Sequence, residues 1–180
     1  MDERLQAVDN GQVSYQDRVP WGGRFAAGIT SGIVAAILMI GFMMAYSRIN
    51  GAGATMPLKA LGAFVYGLEA LVAGSIAILA GAGLQLGVAI VLGLLFALCT
   101  SRRTSIPGAL FVGILIGILL WVAMELVLLP YMDPIMAARV ALMPLAYFIA
   151  HLLFGIGLGM TPLFLRSFSG NRNRHLKQPG

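Results

Sequence analysis

"PLKALGAFVYGLEALVAGSIAILAGAGLQLGVAIVLGLLFAL", residues 57–98, contains only two charged side chains, Lys59 and Glu69. As a single α-helix it would be about 63 Å long at 1.5 Å per residue, roughly twice the hydrocarbon thickness of a bilayer. The stretch must therefore break, and Gly74 and the Gly-Ala-Gly at 81–83 are the candidate breaks. Leu58, Leu61, Phe64, Val65, Leu68, Leu71 and Val72 recur at helical spacing, with Lys59 and Glu69 off the stripe. This pattern predicts a short amphipathic helix at about 57–72, lying in the membrane interface. A span at about 76–98 follows it. The rival reading places two spans here, 58–80 and 84–99.

The rest of the chain carries the same apolar excess. Of 180 residues, 59% are hydrophobic and 11% charged, and the mean hydropathy is +0.88. A soluble domain is nearer 45–50% apolar and about 25% charged. One soluble core of this size cannot hide that excess, so lipid must act as part of the solvent. Three further stretches are long enough to span, at about 25–47, 107–129 and 144–165. Pro107 and Pro144 suit the first turns of the last two. The expected fold is thus an all-α integral membrane protein, a bundle of four transmembrane helices over 25–166. Residues 1–24 form a polar cytoplasmic segment and 167–180 a basic cytoplasmic tail.

Charge sets the expected orientation. Four spans place Arg4, Arg18, Arg24, Arg102, Arg103, Arg166, Arg172, Arg174 and Lys177 on one side, and Arg48, Lys59 and Arg139 on the other. Cytoplasmic loops are enriched in Lys and Arg, so both termini are expected inside a bacterial inner membrane. Five spans would send the tail "RNRHLK" outward. Residues 1–24 hold four acids and three arginines before the first apolar run, unlike a signal peptide, and Met1-Asp2 excludes myristoylation. The net charge of +5 points to anionic lipid headgroups at the cytoplasmic face rather than nucleic acid. Cys99 is the only cysteine, so no internal disulfide forms.

A two-span unit can be read twice. "GITSGI" at 28–33 resembles "GILIGI" at 113–118, and "QLGVAIVLG" at 85–93 resembles "HLLFGIGLG" at 151–159. The pattern suggests a duplicated helical hairpin, although glycine and leucine are common in any membrane helix. Each span carries one GxxxG: Gly28 and Gly32, Gly83 and Gly87, Gly113 and Gly117, Gly155 and Gly159. Small residues at this spacing let helix backbones approach closely in lipid.

The buried polar residues are the candidate site. Trp121 and Glu125 continue the series Gly113, Gly117 at steps of four, and Tyr147 and His151 lead into Gly155 and Gly159. If the two antiparallel ladders face each other, Glu125 and His151 share a depth and can pair, as carboxylate and imidazolium or as two neutral groups. Gln85 sits near mid-span in the second helix. A packing hydrogen bond is the plainest reading, because ionisable groups in lipid usually face protein, water or a partner. A proton or ion relay is one alternative. Another is a haem or chlorin held by His151, with small residues one turn away leaving room for a flat ring, and contacts to lipid, quinone or another subunit complete the alternatives. The lack of a second in-membrane histidine argues against two-histidine haem ligation.

No cofactor or metal is expected otherwise, since no CxxC, HExxH, P-loop or dinucleotide fingerprint occurs. The ten methionines suit adaptable packing better than a copper site. Asp133 before Pro134 suits a turn. No catalytic residue is indicated. The expected function is a non-catalytic subunit or accessory protein of a larger membrane complex, respiratory or photosynthetic for instance. Its partners would be lipids and other integral subunits or further copies of itself. The alternatives are a small oligomeric transporter or channel using Glu125, His151 and Gln85, and the pigment-binding protein.

Overall fold

A computed structural model describes residues 20–72, 74–132 and 134–170. The expectations for the distal ends and for Asp133 lie outside the described residues. Nine helices account for most of what is described, and no strand occurs among these residues. They are α1 (Trp21–Ile49), α2 (Met56–Tyr66), α3 (Glu69–Val72), α4 (Ser75–Cys99), α5 (Ile106–Ala123), α6 (Leu129–Met132), α7 (Pro134–Leu142), α8 (Pro144–Gly159) and α9 (Thr161–Gly170). A π-helical turn at Met124–Leu128 joins α5 to α6. Four stretches are long and apolar enough to cross a membrane: Trp21–Ile49, Ser75–Cys99, Ile106–Met132 and Pro144–Phe168.

Local chemistry explains where these helices start, bend and stop. Ser105 caps α5, its Oγ accepting from the Gly108 N–H at 3.3 Å, with Pro107 in the first turn. The third long stretch runs past its expected end at Leu129, through Pro130, to Met132. Proline lacks an N–H and its ring crowds the carbonyl four residues back, here that of Leu126. The preceding turn is widened, with the Leu129 N–H reaching Met124 O five residues back. Such an adjustment lets a helix continue through proline. The fourth stretch is interrupted at Met160, because Pro162 has no N–H to offer Leu158 O. The Thr161 hydroxyl donates to that carbonyl instead, at 2.6 Å.

The long helices lie in an open row, α4–α1–α8–α5. α1 packs along both α4 and α8, and α5 packs along α8, but α4 and α5 do not pack along one another. The core of this row is built from small residues. Ala27, Ala35, Ala36, Ala89, Ala97, Ala109 and Ala150 are all buried. In α4 the stripe Ala77, Gly81, Gln85, Ala89, Gly93, Ala97 repeats every four residues, and all but half-buried Gln85 are buried. A Cβ on Gly28 would stand 2.8 Å from Leu94 Cα, and one on Gly93 would stand 2.9 Å from Gly32 Cα. The chain ends of the row are tied down by arginines. Arg24 Nη1 donates to Ala97 O and Thr100 O, both at 3.2 Å, at the C-terminus of α4. Arg166 donates to Arg102 O and Thr104 O in the loop before α5.

The expected interfacial helix at 57–72 differs in two ways. It is two helices, interrupted after Tyr66 where Gly67 adopts φ +62°, a left-handed conformation that favours glycine. Its packed face is also the small-residue one. Pro57, Leu58, Ala60, Gly62 and Ala63 are buried, whereas Phe64, Val65, Leu68 and Val72 of the apolar stripe are exposed. α2 crosses α4 with Gly62 against Ala77 O and Gly81 against Leu58 O. Backbones this close admit no large side chain between them, so the small face packs and the large residues turn outward.

Candidate functional site

All five polar residues singled out in the sequence, Gln85, Trp121, Glu125, Tyr147 and His151, line one cavity of about 170 Å³. It lies in the gap that α4 and α5 leave between them. α1 and α8 contribute to the walls, and Pro57, Leu58, Leu61 and Phe64 of α2 close part of one side. A second cavity of about 350 Å³ occupies the same gap nearer Cys99 and shares Leu92 with the first. The two cavities thus lie end to end on either side of Leu92.

The five residues share the cavity without the pairing expected of them. His151 Nδ1 lies 2.8 Å from Tyr147 O, on its own helix. A carbonyl oxygen only accepts, so Nδ1 carries the proton and, in the neutral ring, Nε2 holds the free electron pair. Glu125 Oε2 is buried with no hydrogen-bond partner, and so is Trp121 Nε1. Glycine register explains why Glu125 and His151 do not meet. Gly117 stands against His151 O and Gly113 against Gly155 O. His151 therefore faces Gly117, two turns from Glu125, and Trp121 packs edge-on against Phe148, ring centroids 5.1 Å apart. Gln85 reaches across to α1, its Nε2 3.3 Å from Met39 Sδ.

The glycine pairs separate in the same way. Gly28 and Gly32 meet α4, and Gly113, Gly117, Gly155 and Gly159 close the α5–α8 contact. Gly83 and Gly87 have no atom within 4 Å of where a Cβ would stand. In α4 the residues that approach other backbones are Ala77, Gly81, Ala89 and Gly93, one stripe round from Gly83. The space expected beside His151 for a flat ring is also filled, because Gly155 lies against Gly113 O and Ile114 Cα. Among the described residues no three His, Cys, Asp or Glu side chains gather as a metal site would require.

Sequence reasoning missed Met39 and the contribution of α2. The signal for Met39 was present, since Gln85 sits one turn before Ala89 and ahead of Gly93, the part of the α4 stripe that meets α1. Comparison with protein-family models, curated proteins and solved structures finds no match to this chain.

Proposed function

We propose that this chain is a non-catalytic subunit of a larger assembly in the bacterial inner membrane, crossing it four times with both ends in the cytoplasm. Membrane residence is supported by an arrangement with small residues inside and large ones outside. Ile37, Leu79, Leu119 and Leu126 are between 62% and 70% exposed. Soluble proteins rarely expose so much contiguous apolar surface. The nine-to-three bias of arginines and lysines supports the orientation. The basic ends then meet anionic headgroups.

The observation that carries the subunit reading is the open Gly83–Gly87 face. Three of the four GxxxG pairs lie against another helix of this chain, and this one lies against nothing. We assign it to a helix of another integral subunit, for which the two glycines leave a shallow groove. Leucine at Gly83 or Gly87 should leave the purified chain as stable as the parent, because no neighbour is displaced. It should also deplete the subunit that co-purifies in gentle detergent, identified by mass spectrometry. Unchanged co-purification in both variants overturns the reading. Loss of a homo-oligomer alone would replace the foreign subunit with a second copy.

A duplicated hairpin is also part of the proposal. Gly32 stands to Ala89 and Gly93 as Gly113 stands to Gly155 and Gly159. That contact register supports duplication with the first helix of each hairpin shifted one turn from the sequence match.

A further inference from the structure

Three buried side-chain polar atoms among the described residues lack a hydrogen-bond partner, and two of them, Trp121 Nε1 and Glu125 Oε2, are on residues that line the cavity. The third, Arg139 Nε, lies elsewhere. Buried polar groups in folded proteins are nearly always paired, with protein, water or ligand. Trp121 and Glu125 stand four residues apart on one helix, a spacing that brings side chains to about 5–6 Å at Cβ. Their needs are complementary. An indole N–H can only donate, and a carboxyl oxygen accepts, with the acid form also donating. A single hydroxyl group meets both needs, accepting from the indole and donating to Glu125 Oε2, which accepts as a carboxylate oxygen or as the carbonyl oxygen of the acid.

The rest of the wall is mostly carbon, including Leu84, Leu92 and Leu120, with Gln85, Tyr147 and His151 the other polar residues on it. A water molecule's share of liquid volume is about 30 Å³ and a held water needs at least about two polar partners. The cavity would take several waters, and most of them would touch only carbon. An apolar body with one hydroxyl suits the whole space. Access is lateral, because α4 and α5 do not pack together and the lining residues Phe64 and Val88 are both exposed at the rim.

We propose that the cavity binds the hydroxyl end of an uncharged membrane amphiphile, held between Trp121 and Glu125 with its chain leaving through the gap between α4 and α5. The chemistry is shared by glycerolipids with a free hydroxyl and by quinols. The site does not depend on the subunit reading.

The chain has two tryptophans, so a Trp21→Phe protein reports on Trp121 alone. In lipid–detergent micelles a brominated octadecanol should quench Trp121 saturably. Octadecanol should reverse the quenching, and its methyl ether, which accepts but cannot donate, should compete about tenfold more weakly. Glu125→Gln should keep the saturable component and Glu125→Leu should remove it. A monoacylglycerol and an alkylated benzoquinol, tested as competitors, separate the two sources, and displacement by either supports the site. The proposal is overturned by quenching that only follows bulk mole fraction, by equal competition from the ether, or by failure of both natural competitors. Survival of the saturable component in Glu125→Leu also overturns it. If Glu125→Leu does not fold, the alcohol–ether comparison in the Trp21→Phe protein still decides.

Discussion

His151 and Glu125 line one cavity, yet the hydrogen bond expected between them does not form. An apolar run makes a lone histidine or glutamate conspicuous, and such groups converge on interior space because lipid excludes them. Which two meet depends on helix register, and register is set elsewhere, by the backbone contacts of Gly113, Gly117 and Gly155. A sliding fit of one or two turns is invisible in composition. The structure has a specific energetic consequence. His151 is satisfied by Tyr147 O, and Glu125 Oε2 has no protein partner to lose. In a double-mutant cycle of His151→Leu and Glu125→Leu, the coupling in unfolding free energy should lie below about 0.5 kcal/mol. Glu125→Leu alone should be neutral or stabilising, since it removes an unsatisfied buried group. A coupling above about 1 kcal/mol, measured by titrated detergent unfolding, would mean that the pair forms after all.

At the scale of elements, hydropathy and proline placement locate all four long helices to within a few residues at most ends. They do so because about 20 apolar residues in a row have few alternatives. Faces are harder to read. In α2 the large apolar residues form the regular stripe, so periodicity nominates them for burial, yet Ala60, Gly62 and Ala63 pack instead. An apolar stripe marks the buried face only against water. In a chain that spans a membrane, as proposed for this one, that inference fails, because large side chains gain nothing by hiding from an apolar solvent. The same ambiguity affects α4, where GxxxG marks Gly83 and Gly87 while the packed stripe runs through Gly81 and Gly93. Gly81→Ala places a methyl group against Leu58 O and should cost about 1–3 kcal/mol. Gly83→Ala, two residues away in the same helix, should change stability by less than about 0.5 kcal/mol. Equal losses at the two positions, read from the same detergent unfolding, would show that α2 does not cross α4 at Gly62.

For the whole molecule, the row α4–α1–α8–α5 has two unequal middles and two open ends. The apolar stretches of the two middle members, α1 and α8 with α9, are 33% and 56% buried, against 22% and 17% for the outer two, α4 and α5 with α6. The cleft between α4 and α5 follows from this order, and with it the cavity that collects the polar residues. Nothing in the sequence states the order. Short loops make consecutive helices neighbours by default, yet α4 and α5 are joined by the short 100–105 loop and still do not pack along each other. What joins them to the row is each one's glycine contact, with α1 in one case and α8 in the other.

Everything proposed for this chain depends on four crossings in alternating direction, and sided labelling of single cysteines decides that point. In a Cys99→Ala chain, cysteines at Gly22, Ala52, Thr104, Leu142 and Ser167 sample the five ends that four crossings create. With an impermeant thiol reagent on intact cells, Ala52→Cys and Leu142→Cys should label. Gly22→Cys, Thr104→Cys and Ser167→Cys should label only after the membrane is permeabilised. Labelling of Ser167→Cys together with Ala52→Cys in intact cells would contradict the four-crossing bundle.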